Sequence, residues 1–290
     1  MNISVIGSGG WGTALALHLS KCGHKVCLWS YFPEESQRLK NDRENKEFLP
    51  GVIFGEAELS FTSDIDEVTL KRLSEVFAEK LPNSPIVVLS GPSHAEEVAR
   101  GVPTTNVAAC KDMEVAQKVQ QIFNSSTFRV YTNPDVCGVE LGGAMKNVIA
   151  LCAGVTDGCG FGDNTKAALM TRGLHEISRL GVAMGAKEKT FAGLSGVGDL
   201  IVTCTSMHSR NRRAGILLGQ GKTLEQALDE VHMTVEGVWA TKAGYALGKK
   251  YGVELPIIEQ AYAVLFEGKN PAAAVRDLMT RSAKSEDQLL

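Results

Sequence analysis

Short β-branched apolar runs punctuated by glycine occupy the first half of the chain, and long stretches of 3.6-residue period occupy the second. Residues 2–7 (NISVIG) read as a buried strand, Thr13 to Cys22 as a helix and Lys25 to Ser30 as a second strand, with Gly23 suited to the helix C′ position. Strand, glycine turn, helix and strand within ~30 residues make one βαβ unit, which implies parallel pairing. Further on, Leu70 to Leu81 reads as a helix, Pro85 to Leu89 and Thr105 to Ala109 as strands, Met113 to Phe123 as a helix and Thr127 to Tyr131 as a last strand. From Pro134 onward helical periodicity dominates, at 135–156, 165–184, 223–231, 237–250, 255–266 and 271–280. Pro134 suits the first turn of the first of these helices, with Asn133 as its cap. The expected fold class is α/β: a Rossmann-like doubly wound parallel sheet in residues 1–133, followed by an all-helical C-terminal domain in residues 134–290.

Composition narrows the class. A chain of 290 residues with 44% hydrophobic and 22% charged residues has the balance of a globular protein and the length of two domains. A formal net charge of -3 leaves no overall basic field, so no nucleic-acid partner is expected and any bound anion must be met by a local cluster. No apolar run approaches the roughly 20 residues of a spanning helix, so membrane insertion is not expected. Met1 to Gly7 reads as a strand rather than a secretory leader. The seven cysteines, Cys22, Cys27, Cys110, Cys137, Cys152, Cys159 and Cys204, form no CxxC pair. They read as small buried hydrophobes in a reducing cytoplasm, with no metal site.

The spacing Gly7-x-Gly9-x-x-Gly12 follows a strand and opens a helix, the context in which G-x-G-x-x-G binds a dinucleotide. Gly7 permits the tight turn, Gly9 lets backbone approach a pyrophosphate, and Gly12 lets helix pack on strand. The helix N-terminus then offers unpaired N–H groups to the phosphates. Gly10 and Trp11 lie in the same turn. At the end of the second strand, Trp29-Ser30-Tyr31-Phe32 carries neither an acid for ribose hydroxyls nor a basic clamp for a 2′-phosphate, so NAD and NADP both remain open. Tyr31 or Phe32 could stack near an adenine.

The chain also resembles the bacterial NAD(P)-dependent glycerol-3-phosphate dehydrogenases. The resemblance is carried in order by GSGGWGTALALHL, LSGPSHAEEVARGVPT, ELGGAMKNVIALCAGVTDG, FGDNTKAALMTRGLHE, GLSGVGDLIVTCTS, SRNRRAG and VEGVWATKA. It implies interconversion of glycerol 3-phosphate and dihydroxyacetone phosphate, supply of glycerol 3-phosphate for phospholipid synthesis, and a homodimer. Ketone reduction needs a proton donor, and Lys146 of Glu140-Leu141-Gly142-Gly143-Ala144-Met145-Lys146-Asn147 is the candidate. An apolar setting there would lower its pKa.

The same resemblance places substrate contacts at Gly91, Ser93, Lys146, Asp199, Thr203, Ser209, Arg210 and Asn211. A dianionic phosphate suits the always-charged guanidinium fork of Arg210, flanked by hydroxyl and amide donors. Asp199 could hydrogen-bond Lys146 and orient its ammonium. Cofactor contacts are implied at Gly7, Gly9, Gly10, Trp11, Gly12, Tyr31, Ala95, Arg210 and Glu236. His94 stands where the family often has an aromatic residue and is not read as a base. Asp163-Asn164-Thr165-Lys166 reads as the cap of the next helix.

The pattern breaks between Val68 and Thr69, where the family would place a further strand, a helix and another strand. Loss of central strands from a parallel sheet would expose ladder edges and remove buried apolar surface. Residues omitted from the chain, a deliberate shortening and a true internal deletion all remain open, with omission favoured because the flanking motifs are intact. Two other readings stand beside the first: a related hydroxyacid dehydrogenase with a helical C-terminal domain, and a nucleotide-binding module that has lost catalysis.

Overall fold

A computed structural model describes residues 2–30, 32–54, 59–62, 71–283 and 285. Along the chain lie β1 (Asn2–Ile6), α1 (Gly10–Lys21), β2 (Lys25–Trp29), α2 (Pro33–Asp42), β3 (Leu59–Thr62), α3 (Leu73–Lys80), β4 (Val88–Ser90), α4 (Ala95–Arg100), β5 (Thr104–Ala109), α5 (Met113–Phe123) and β6 (Phe128–Asn133). Helices follow: α6 (Val136–Gly158), α7 (Asp163–Ala183), α8 (Glu188–Phe191), α9 (Asp199–Thr205), α10 (Arg210–Gly219), α11 (Leu224–Val231), α12 (Glu236–Tyr251), α13 (Pro256–Phe266) and α14 (Pro271–Met279). The chain divides into two compact units, one of residues 1–89 and 93–132, the other of residues 90–92 and 133–290.

In the first unit β1 and β2 pair in parallel from Asn2↔Lys25 to Ile6↔Trp29, and β2 and β3 from Val26↔Leu59 to Trp29↔Thr62. Among the described residues the strands form two sheets, ordered β1-β2-β3 and β4-β5-β6. The doubly wound sheet is thus divided into halves, and the break at Val68 and Thr69 falls in the chain between them; the junction itself lies outside the described residues. Helix α1 serves both apolar clusters of this unit. Ala14 packs with Val98, Ala108 and Phe128, while Ala16 and Leu19 pack with Val26, Leu28 and Leu39. Small residues on two faces of one helix let it approach both.

The second unit is built around α6, whose buried residues include Val148, Ile149, Ala150 and Leu151. By length and composition α6 could span a membrane, with mean hydropathy 1.4 in its most apolar window, so the expectation that no segment comes near that threshold is amended. Its apolarity has an internal cause, since 61% of that window is buried within the protein. Against α6 lies α10, and glycines make the contact. A Cβ on Gly154 or Gly158 would sit 2.1 or 2.2 Å from the carbonyl oxygens of Arg212 or Ile216, and one on Gly215 2.0 Å from that of Leu151.

Several boundaries differ from the sequence reading. β6 runs on through Asn133, and the cap of α6 is Asp135, not Asn133, with Pro134 outside the helix. The Asp135 carboxylate takes N–H bonds from Gly138 and Lys187 and the Thr190 hydroxyl, three donors that a side chain at 133 does not collect. Helix α7 is capped by Gly162 without a side-chain bond, and Asp163, inside the helix, does not cap it. Strand β4 covers only Val88–Ser90 rather than starting at Pro85, whose ring cannot donate to a ladder.

Candidate active site

The first unit presents the glycine turn. Gly7 adopts φ +103°, open to glycine, and a Cβ on Gly12 would lie 1.8 Å from the Gly7 carbonyl oxygen, so helix and turn touch backbone to backbone. A Cβ on Gly9 would meet nothing within 4 Å, which leaves free space in front of the α1 N-terminus. Gly9 caps α1 with no side-chain bond, so its first N–H groups are not consumed by a cap. These features fit a pyrophosphate.

Two residues that sequence reasoning missed hold the turn. Asn45 Nδ2 donates to the Ser8 carbonyl at 2.7 Å and to Thr13 Oγ1 at 2.8 Å, and Thr13 Oγ1 donates to Ser8 at 3.0 Å. Nothing local could have revealed Asn45, which arrives from 37 residues away. A third miss concerns the end of β2, read as lacking an acid. Glu35, in the first turn of α2, brings its carboxylate there, where Ser30 Oγ donates to Oε2 at 2.5 Å. Its Oε1 is enclosed with no hydrogen-bond partner among the described residues. Tyr31 lies outside the described residues.

The second unit gathers Lys146, Asp199, Thr203, Ser209, Arg210, Asn211 and Glu236. Lys146 Nζ lies 2.5 Å from Asp199 Oδ1, with the lysine side chain 19% and the aspartate 2% exposed. A buried carboxylate thus holds the ammonium within the small-residue segment. Asp199 opens α9, where the helix N-terminus favours negative charge. A π-helical turn, Leu194–Gly198, delivers it there. Thr203, one turn on, donates Oγ1 to the Asp199 carbonyl at 2.6 Å. Gly142 is needed because a Cβ would lie 2.4 Å from the Ser195 carbonyl oxygen in the π turn, and Gly143 because one would lie 2.5 Å from Ser90 Oγ.

A polar relay runs alongside. The Gly237 N–H donates to Asn211 Oδ1 at 2.8 Å, Asn211 Nδ2 to Asn147 Oδ1 at 2.9 Å, and Asn147 Nδ2 to Glu236 Oε2 at 3.1 Å. Arg210 Nη2 lies 3.6 Å from Glu236 Oε1. Ser209 Oγ accepts the Arg212 N–H and so caps α10. Asn147 was not singled out from sequence; its signal was an amide in the apolar stretch directly after Lys146. Gly91 groups with this unit and takes φ +151°, whereas Ser93 and Ala95 belong to the first unit. Cys204, beside Thr203, is no rival nucleophile, since burial pushes its thiol up to about 12. No group of three His, Cys, Asp or Glu able to hold a metal occurs among the described residues.

Comparison with known proteins decides the family. The model of the NAD-dependent glycerol-3-phosphate dehydrogenase C-terminus matches residues 135–276, and that of the N-terminus matches 2–69 and 65–116. The chain belongs to the NAD-dependent glycerol-3-phosphate dehydrogenase family. Glycerol-3-phosphate dehydrogenase [NAD(P)+] of Fusobacterium nucleatum is 49% identical over 333 residues, covering 99% of each chain, and that of Desulfitobacterium hafniense is 51% identical over 325 residues, covering 98% of this chain and 92% of its own. The crystal structure of glycerol-3-phosphate dehydrogenase from Coxiella burnetii matches with TM-score 0.91 and 35% identity, over 97% of this chain and 99% of that one. The N-terminal family match falls into two stretches that meet around the break, and the F. nucleatum alignment runs over 333 positions against 290 residues here. An internal stretch of the relative therefore has no counterpart in this chain.

Proposed function

We propose that this protein interconverts sn-glycerol 3-phosphate and dihydroxyacetone phosphate by hydride transfer with NAD or NADP, supplying glycerol 3-phosphate for phospholipid synthesis. The observation that carries the reading is the Lys146–Asp199 pair beside the Asn147–Asn211 bond, which ties the neighbour of Lys146 to the neighbour of Arg210. Family membership supports it. The nicotinamide, when bound, supplies or accepts the hydride. Gly7, Gly9, Gly10, Trp11 and Gly12 would hold the cofactor's pyrophosphate end.

Lys146 protonates the ketone oxygen during reduction and takes the proton back in the reverse direction. Asp199 fixes the position of Nζ, and Thr203 secures the backbone carbonyl of Asp199. Arg210, with its side chain 31% exposed, keeps donors beyond the one facing Glu236 and grips the phosphate. The family resemblance supports a homodimer, which sedimentation of the purified chain tests.

The experiment is to follow reduced-cofactor absorbance on adding dihydroxyacetone phosphate to the full chain. Oxidation that stops when the phosphorylated ketone is left out is expected. No oxidation at saturating cofactor, or a 2-keto acid outperforming the phosphorylated ketone, would overturn the assignment.

A further inference from the structure

The helical unit holds a second cluster of charge, some eleven residues further along α6 from Lys146, or roughly 16 Å at 1.5 Å per residue. Asp157 stands in the last turn of α6, where a carboxylate faces the helix's own negative end. Two cations hold it: Lys166 Nζ lies 2.7 Å from Oδ1, while Arg212 places Nε at 3.0 Å and Nη2 at 2.8 Å from Oδ2. The three side chains are only 13 to 17% exposed. Arg212 does more than pair. Its Nη1 donates to the Thr205 carbonyl at 3.0 Å, at the last residue of α9, and its own N–H donates to Ser209 Oγ at 3.2 Å. One residue therefore joins the ends of α6 and α9 and the start of α10, enclosing the turn that presents Ser209, Arg210 and Asn211.

The glycine contacts between α6 and α10 set how closely the helices approach, but they are non-directional and leave sliding and rotation open. A guanidinium with two nitrogens on one carboxylate is directional. We propose that Asp157, acting through Arg212, is a positioning residue that sets the register of the Ser209–Asn211 turn and thereby the placement of Arg210 for a substrate phosphate. This rests on the reading of Arg210 as the phosphate grip. Lys166 shares the same carboxylate from α7, and among the described residues its ion pairs run to Asp157 and Asp163 and not to that turn, which makes it the internal control.

The test compares wild type, Arg212→Lys, Asp157→Asn and Lys166→Gln as full chains. Steady-state kinetics are measured with dihydroxyacetone phosphate and with unphosphorylated dihydroxyacetone, beside thermal denaturation. Arg212→Lys keeps the charge and loses the fork, so it remains informative if Asp157→Asn fails to fold. Arg212→Lys is expected to raise KM for the phosphorylated ketone about tenfold with kcat within about threefold, and to leave kcat/KM for dihydroxyacetone unchanged. Lys166→Gln lowers the denaturation midpoint and leaves KM alone. Equal losses on both ketones, an unchanged KM in Arg212→Lys, or an equal rise in Lys166→Gln overturns the inference. Should wild type bind glycerol 3-phosphate without turnover, the proposed reaction fails, and the same comparison is then read as a ratio of dissociation constants by calorimetric titration. A wild-type chain that binds no glycerol 3-phosphate overturns both.

Discussion

Removing Lys146 would strand the Asp199 carboxylate, which is 2% exposed, and breaking a buried pair from one side is costly in stability as well as in chemistry. The two effects can be separated. Lys146→Ala is expected to lower kcat by about 10²- to 10⁴-fold, the range of a lost general acid, and to lower the unfolding midpoint. Adding Asp199→Asn should return most of the midpoint while kcat stays low. Recovery of kcat together with stability would show that Lys146 acts only as a structural partner.

Glu35 carries a second prediction at this scale. Its carboxylate sits at the end of β2 with one oxygen lacking a donor among the described residues, so a ribose hydroxyl is welcome there and a 2′-phosphate is repelled. Fluorescence titration should show NADH binding more tightly than NADPH, and Glu35→Gln should narrow the gap. Equal affinities in wild type would dismiss this role.

Among the elements, α13 depends on a buried acid. Pro256 opens the helix, and Glu176, 3% exposed, accepts the Ile257 N–H at 2.8 and 3.0 Å and the Ile258 N–H at 3.3 Å. Burial pushes its carboxyl up from 4.5 to about 7, against those N–H bonds and Arg179. The folded protein thus holds this proton more tightly than the unfolded chain. The linked stabilisation is complete below about 4.5 and is lost as pH rises through about 7. Glu176→Gln removes the titration, so its denaturation midpoint should gain on that of wild type across this window. A constant offset between the two would rule the linkage out.

Helix α10 shows why some elements escaped the sequence reading. Its buried residues are Asn211, Ala214, Gly215 and Leu218, an amide and small residues that produce no apolar period, and its first turn looks like a solvated basic loop. Helix α2 is polar throughout, with Leu39 as its buried apolar anchor. By contrast α5, with an aspartate cap and a clean apolar face, occurs at Met113–Phe123 as read.

For the whole molecule, the divided sheet has a consequence. β1 and β4 each end a three-stranded sheet, and edges of this kind are normally paired or covered. Grafting the internal stretch that the F. nucleatum relative has and this chain lacks between Val68 and Thr69 should raise the unfolding midpoint. A graft that lowers the midpoint would mean the two half-sheets are already complete.

What the sequence determined by itself was local or carried by motif. The βαβ opening, the glycine turn, the helical second half and the family all follow from neighbours in the chain or from blocks in a recognisable order. What only the tertiary structure decided was which distant groups meet: Asn45 on the glycine turn, Glu35 under Ser30, Asn147 against Asn211, and Asp157 against Arg212. Hydrogen bonds and ion pairs of this kind join residues whose separation in sequence leaves no periodic trace, because their geometry exists only after helices have packed.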